Sequence, residues 1–354
     1  MPRPEYWIIE NYDYRPCKPS RLEFHTAVAL HTHSYHSEES LGSLEWIMEK
    51  PVLNKINEIF KRAFRTKAKE ELNYADLHYC PPISPAEVYE LERNSAEALG
   101  FENFLLAITD HNKIAACQEL LEARPDLEPI AAISEELSFF FKDEEFHLGI
   151  IGIPSEKADE HHKTMQELGR RGDTGGLFDL LTSLKPSPLL ILNHPYYQLD
   201  TMPEHGERLQ QLLRNFGNSI HAIEFNGLRP RQENDAAIEL ARVLRKPLVG
   251  GGDRHSPLPS LALSVSREAA TIQDYIEEVK GGGGAMICKN DYFLPHGWKL
   301  FVRILHYVQY YRRITFYKNV PITDYPIDDK IIPDYLADAA GFILSILKWM
   351  KLVR

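Results

Sequence analysis

Fifteen histidines are spread through the 354 residues, and their places relative to the predicted strands are what could do chemistry. His31 and His33 follow directly on the apolar run 26–30, and Asp110-His111 closes the run 104–109. Glu136 lies just beyond a predicted strand at 129–133, and His147 stands near the start of the apolar run 146–152. His194 follows the run 189–192, and Asp253 and His255 follow 247–250. Imidazole and carboxylate without thiolate is a donor set that suits Zn²⁺, Mn²⁺ or Fe²⁺. Each fragment alone has a plainer reading. His-x-His in a strand is usually a structural pair on one face, Asp110-His111 reads as a turn and cap, and Asp253-Arg254-His255 as a polar loop. Repetition at successive strand ends favours a metal site over all of these.

The elements that must position these groups follow from periodicity. Short apolar runs alternate with helical patterns at about 85–99, 113–123, 155–171, 177–184, 204–215 and 232–245. Such β-then-α repeats predict a parallel sheet, open or closed into a barrel. In parallel α/β folds ligands gather at the carboxyl ends of strands, so residues far apart in sequence would meet in one cleft. Ser84 before Pro85 predicts an N-cap with proline in the first turn. Two strands, 136–141 and 146–152, flank the charged turn 142–145. Residues 1–21 read as an irregular arm, residues 44–79 as a helical insertion, and 289–354 as an aromatic-rich extension packed on the rest. Gly281–Gly284 lacks the Lys-Ser/Thr of a phosphate-cradling loop and reads as a plain turn.

Composition sets the bounds. Hydrophobic residues make up 44% and charged ones 26%, a globular balance that excludes a disordered or fibrous chain. Forty Lys+Arg against 51 Asp+Glu leave a net charge of −11, so nucleic acid is not the favoured partner. The stretch 296–320 nevertheless holds five basic residues, no acid and interleaved aromatics, a pattern shared by single-strand binders and by amphipathic helices packed on a domain. Four cysteines stand far apart with no C-x-x-C pair, which fits a reducing compartment. The N-terminus has no signal-peptide pattern and the late apolar run 339–347 is well short of the ~20 residues a span needs. The expectation is a cytoplasmic protein with no membrane span and an oligomeric state that sequence does not reveal.

Seven segments, in order, resemble the polymerase and histidinol phosphatase (PHP) family. They are LHTHSYHSEE (30–39), AITDHN (107–112), EELS (135–138), FHLGIIGI (146–153), LNHPYY (192–197), IEFNG (223–227) and GGGDRHS (250–256). The resemblance spans about residues 22–288 and implies an α/β fold, a distorted seven-stranded (β/α) barrel with two or three divalent ions (Zn, Mn or Fe) at the strand ends. By motif position it implies that His31, His33, Glu136 and Asp253 hold the first ion. Glu136 would bridge to a second with His147 and His194, and His111, His255 and an acid after the first motif would hold a third. That acid is Glu38 or Glu39, with Glu38 favoured. The bridge is Glu135 or Glu136, with Glu136 favoured and Glu135 behind it. The family's Asp before the first His is replaced by Ala29-Leu30, and the small residue between the last Asp and His is Arg254.

The resemblance implies a metal-dependent phosphoesterase acting on a small phosphomonoester, a nucleotide or sugar phosphate. Glu136, His194, Asp253 and Arg254 would serve catalysis. From the residues themselves, Arg254 would either grip the substrate's phosphate or turn to solvent or a surface acid. Arg229 and Arg231 would either extend the phosphate pocket or lie in a solvated loop. An exonuclease or phosphodiesterase, a carbonyl hydrolase and a metal-stabilised scaffold are the competing readings. His161, His162 and His205, in polar helical stretches, read as surface residues, and His78 as part of the insertion rather than of the site.

Overall fold

The computed structural model describes residues 6–17, 23–40, 77–197 and 204–296 continuously, with isolated positions within 54–73 and 298–318. Of the helices expected within 44–72 only isolated helical positions are described, and most of the extension, Arg312 and Arg313 included, lies outside the described residues.

Two open sheets carry the fold. The first runs β2 (Asp13–Cys17), β1 (Tyr6–Glu10), β13 (Ala285–Lys289), β12 (Ala262–Ser266), β3 (Thr26–Ala29) and β6 (Asn103–Leu106). The second runs β11 (Leu248–Gly251), β10 (Ala222–Asn226), β9 (Leu189–Leu192), β8 (Glu144–Ile151) and β7 (Ser134–Phe141). Neither sheet is closed among the described residues, so the expected seven-stranded barrel is not what their pairing forms. The α/β class stands. Single backbone bridges join the sheets, Leu106 to Ala131, His111 to Glu136 and Thr32 to Arg254.

Parallel pairing holds for β3 with β6 and for β9, β10 and β11. These are the units with a helix between strands: α1 (Pro85–Ala98), α5 (His205–Phe216) and α6 (Arg231–Leu244). The other helices are α2 (Ala115–Ala123), α3 (Ala158–Arg171), α4 (Thr174–Ser183) and α7 (Ile272–Lys280). The β7–β8 pair is a hairpin whose turn is Lys142-Asp143, both with positive φ (52° and 62°), the conformation that matches the twist of the flanking strands. The predicted cap at α1 forms. Ser84 Oγ accepts from the Glu87 amide at 3.3 Å, while Glu87 accepts from the Ser84 amide at 2.9 Å, a reciprocal capping box.

Two expectations change. Residues 6–17 are a β-hairpin laid on β13 rather than an irregular arm, with Ile8 and Ile9 buried in the core. Residues 129–133 are not a strand beyond the single bridge at Ala131, and the strand begins at Ser134. A small third sheet joins β4 (Glu39–Ser40), β5 (Leu77–Cys80) and β14 (Thr315–Lys318). It ties the end of the insertion and the extension to the first motif, and it holds His78 at backbone register with Ser40 and Tyr317. No helix among the described residues is long and apolar enough to cross a membrane.

Candidate metal centre

Two backbone bridges bring the site's loops together. Thr32 lies between His31 and His33, and its bridge partner Arg254 lies between Asp253 and His255, with the His33 amide donating to the Arg254 carbonyl at 2.9 Å. Likewise His111 is bridged to Glu136, and the Asn112 amide donates to the Glu136 carbonyl at 2.9 Å. The ligands thus come from the ends of β3, β6, β9 and β11, from the start of β4 and from inside the β7–β8 hairpin.

Glu136 is the hub, fully buried. Its Oε2 lies 2.9 Å from His31 Nε2, 3.5 Å from His33 Nε2 and 3.4 Å from His111 Nδ1. Its Oε1 lies 3.2 Å from His147 Nδ1 and 3.0 Å from His194 Nε2. Asp253 Oδ1 is 3.8 Å from His31 Nε2, 3.6 Å from His33 Nε2 and 2.8 Å from His255 Nε2. Glu39 completes the far side, 3.5 Å from His111 Nε2 and 2.9 Å from His255 Nδ1. Four donor triads result, each with its atoms within 4.8 Å of one another: His31–His33–Asp253, His31–Glu136–His194, His33–Glu39–His111 and His111–Glu136–His147.

This donor set fits divalent ions on a further ground. His33 Nε2, His147 Nδ1 and His255 Nδ1 are buried and make no well-directed hydrogen bond among the described residues, although carboxylate oxygens lie 3.5, 3.2 and 2.9 Å away and buried polar atoms are as a rule paired. Nitrogens left so, facing carboxylate oxygens, are what a bound cation would satisfy.

The backbone is bent to serve the cluster. His194 and Asp253 have φ of 25° and 45°, a region in which non-glycine residues are uncommon and which collects at functional sites. Glycine is required at 251, where a Cβ would stand 1.7 Å from Glu224 Oε1, and at 252, where it would stand 1.9 Å from Ser260 Oγ.

Burial opposes charge on these side chains, and their opposite charges decide most outcomes. Burial lowers His31, yet Glu136, Glu224 and Asp253 outweigh it and raise it well above the ordinary imidazole value. His147 and His255 are raised against burial to about 10, the first by Glu136 and Glu145, the second by Glu39 and Asp253. His33 falls to about 3 because burial and the neighbouring His255 prevail. Burial also lowers His111. Against burial, the facing imidazoles hold Glu136 and Asp253 well below the usual carboxylate range, His31 foremost, and Glu39 below it through His255 and His111.

The structure brings together eight of the nine residues expected as ligands: His31, His33, His111, Glu136, His147, His194, Asp253 and His255. The ninth, Glu38, faces away and pairs with Lys113 at 3.1 Å. Glu39 takes its place, because successive side chains of an extended strand point to opposite faces. The same alternation turns Glu135 from the cluster, toward His162 at 3.0 Å and Gln166 at 3.1 Å.

Arg254, expected at the substrate, is fully buried on the side opposite the ligands. Its Nε donates to Glu92 Oε1 at 2.9 Å and its Nη1 to the Ser256 carbonyl at 2.9 Å. Arg231 is also placed elsewhere, paired with Asp235 at 3.4 Å and lying over Tyr14. Arg229 stays at the margin. It pairs with Glu233 at 2.7 Å, and its guanidinium covers the Tyr197 ring, which packs against His194. His205, expected at the surface, is buried between Glu144 and the Pro195 carbonyl.

Sequence reading missed Glu224, Asn226 and Asn193 as supporting groups. Asn193 Nδ2 donates to Glu136 Oε1 at 2.9 Å. Glu224 reaches His31 Nδ1 at 2.6 Å and accepts from the His194 amide at 2.8 Å. The available signal was an acid flanked by apolar residues inside a short strand.

No protein-family model matches the sequence, and no curated protein matches it. Among solved structures, an amidohydrolase from Chromobacterium violaceum with bound sulfate and no metal is 15% identical, covers 59% of this chain and 93% of its own, and has a TM-score of 0.38. A protein from Bifidobacterium adolescentis inferred to be a metal-dependent phosphoesterase is 14% identical, over 57% of this chain and 92% of its own, with a TM-score of 0.36. A two-domain protein from Bacteroides vulgatus containing a predicted PHP-like metal-dependent phosphoesterase is 14% identical, over 58% and 60%, with a TM-score of 0.38. The structural neighbours of the chain thus include PHP-like metal-dependent phosphoesterases and an amidohydrolase.

Proposed function

We propose that the protein is a metal-dependent hydrolase acting on a small phosphomonoester. The observation that carries the reading is Glu136, a fully buried carboxylate that offers one oxygen to His31, His33 and His111 and the other to His147 and His194. A carboxylate shared in this way suits ions held side by side. His31, His33, Glu136 and Asp253 would hold one ion. Glu136, His147 and His194 would hold a second, and Glu39, His111 and His255 a third. Bound together, such ions supply hydroxide at neutral pH and neutralise charge on the oxygens of an in-line displacement.

The chain's own groups do the rest. Glu145, 3.6 Å from His147 Nε2, orients that ring from its outer edge. Tyr197 walls the site beside His194, and Arg229, held by both oxygens of Glu233, covers the Tyr197 ring at the margin. The burial of Arg254 favours a second reading, hydrolysis of a carbonyl ester or amide, since metal-bound hydroxide attacks carbonyl carbon without a guanidinium grip.

Elemental analysis of the purified protein, with turnover of an aryl phosphate, a diaryl phosphate and an aryl carboxylic ester with and without Mn²⁺, tests the proposal. Two or three ions per chain are expected, with monoester turnover abolished in His33→Ala. Turnover of the carboxylic ester alone would establish the second reading instead. Absence of metal after reconstitution would overturn both.

A further inference from the structure

Strand β10 supplies no ligand, yet it touches three ligands that come from three other elements. Glu224 is buried in it, and its Oε1 lies 2.6 Å from His31 Nδ1. Its Oε2 accepts from the His194 backbone amide at 2.8 Å and from Asn226 Nδ2 at 3.2 Å. That same Asn226 amide group donates to Asp253 Oδ2 at 3.0 Å. Gly251, where any Cβ would collide with Glu224 Oε1, leaves the room this carboxylate occupies.

We infer that Glu224 is the positioning residue of the metal centre, fixing with Asn226 the ring orientation of His31, the turn that presents His194 and the Oδ2 of Asp253, so that Asp253 Oδ1 faces the histidines. The inference rests on reading the cluster as a metal site. His31 has one nitrogen on Glu224 and the other 2.9 Å from Glu136. With Nδ1–H donating to Glu224, the Nε2 lone pair is left for an ion. Carboxylates behind ligating histidines act in this way, and their loss typically weakens metal binding by about 10- to 100-fold.

The chemistry makes the isosteric variant informative. Three donors converge on Glu224: His31 Nδ1–H, the His194 amide and Asn226 Nδ2. In Glu224→Gln one oxygen must become an NH₂, which faces a donor wherever it is placed. Turned toward His31, the new amide favours the tautomer with the proton on Nε2, where the ion should sit.

The test is titration of metal-free wild type and Glu224→Gln with Zn²⁺, followed calorimetrically, together with ¹⁵N-histidine spectra of both proteins at saturating Zn²⁺. The expected result is a loss of about 10- to 100-fold in affinity for at least one ion, with the His31 Nδ1–H proton seen in the zinc-loaded wild type and lost in the variant. Glu224→Asp, which keeps the charge, should recover part of the affinity. If Glu224→Gln does not fold, Asn226→Ala carries the test, with weakened binding expected through Asp253. Wild type that binds zinc and a variant with unchanged affinity and an unchanged His31 signal would overturn the inference. Wild type that binds no zinc would overturn the metal-centre reading itself.

Discussion

At the scale of single residues, strand alternation decides which of two neighbours enters the site. Glu39 rather than Glu38 and Glu136 rather than Glu135 are chosen by this rule, while beyond β11 the left-handed turn at Asp253 and the backbone bridge of Arg254 to Thr32 separate Asp253 and His255 from the Arg254 side chain. The motif was therefore legible in the sequence, whereas the choice within each acidic pair needed the register of a strand whose limits were not known. Arg254 shows the consequence. Its guanidinium and Glu92, both fully buried, join the loop between Asp253 and His255 to α1, and Ser260 adds its amide and hydroxyl to the same carboxylate. Removing one partner of a buried pair strands the other charge, at a cost of about 3–5 kcal/mol. Arg254→Ala is thus expected to lower unfolding stability by about that amount in urea denaturation of the metal-free protein. Arg254→Met combined with Glu92→Leu should recover most of it. If Arg254→Ala instead left stability intact and raised KM alone, the phosphate-gripping role expected from sequence would return.

At the scale of elements, the alternation of strand and helix was readable because helix caps and apolar runs are local signals. Pairing was readable only in part. The hairpin β7–β8 was readable as two strands joined by a charged turn, tightened in the structure to Lys142-Asp143, whereas the antiparallel pairing of β8 with β9 was not. The N-terminal hairpin was hidden for a related reason, since prolines and aromatics obscure an alternation whose partner, β13, lies far along the chain. Its contribution is measurable. Ile9 is buried to within 1% where β1 lies on β13, so Ile9→Ala is expected to cost about 2–5 kcal/mol in chemical denaturation. An irregular arm would show almost no change. Gly251→Ala probes the site end of β11. Its Cβ would displace Glu224 from His31, so metal affinity should fall together with stability, the latter by about 1–3 kcal/mol for overpacking.

At the scale of the whole molecule, the ligand cluster couples folding, protons and metal. Without metal, His147 and His255 titrate near 10 in the folded chain and near 6.5 when unfolded. Their contribution to stability is present below pH 6.5 and is lost as pH rises toward 10. His33 and His111 are lowered in the folded chain, so their contribution is present above pH 6.5 and lost as pH falls toward their folded values. The opposed shifts of His33 and His111 on one side and His147 and His255 on the other thus place the metal-free optimum near the ordinary imidazole range, about pH 6.5, with Tm declining on the alkaline side. Metal reverses that slope. Ligation requires neutral imidazole, so binding at pH 7 must expel the protons held by His31, His147 and His255, and affinity should rise with pH by the number released, about three per chain. Ions present at about 100 times Kd add about 2.7 kcal/mol to folding. Thermal unfolding from pH 6 to 9, with and without Zn²⁺, should therefore give two curves that diverge as pH rises. Calorimetric titration in two buffers of different ionisation enthalpy should count the expelled protons directly. Parallel curves and no proton release would mean that the histidines around Glu136 do not ligate metal.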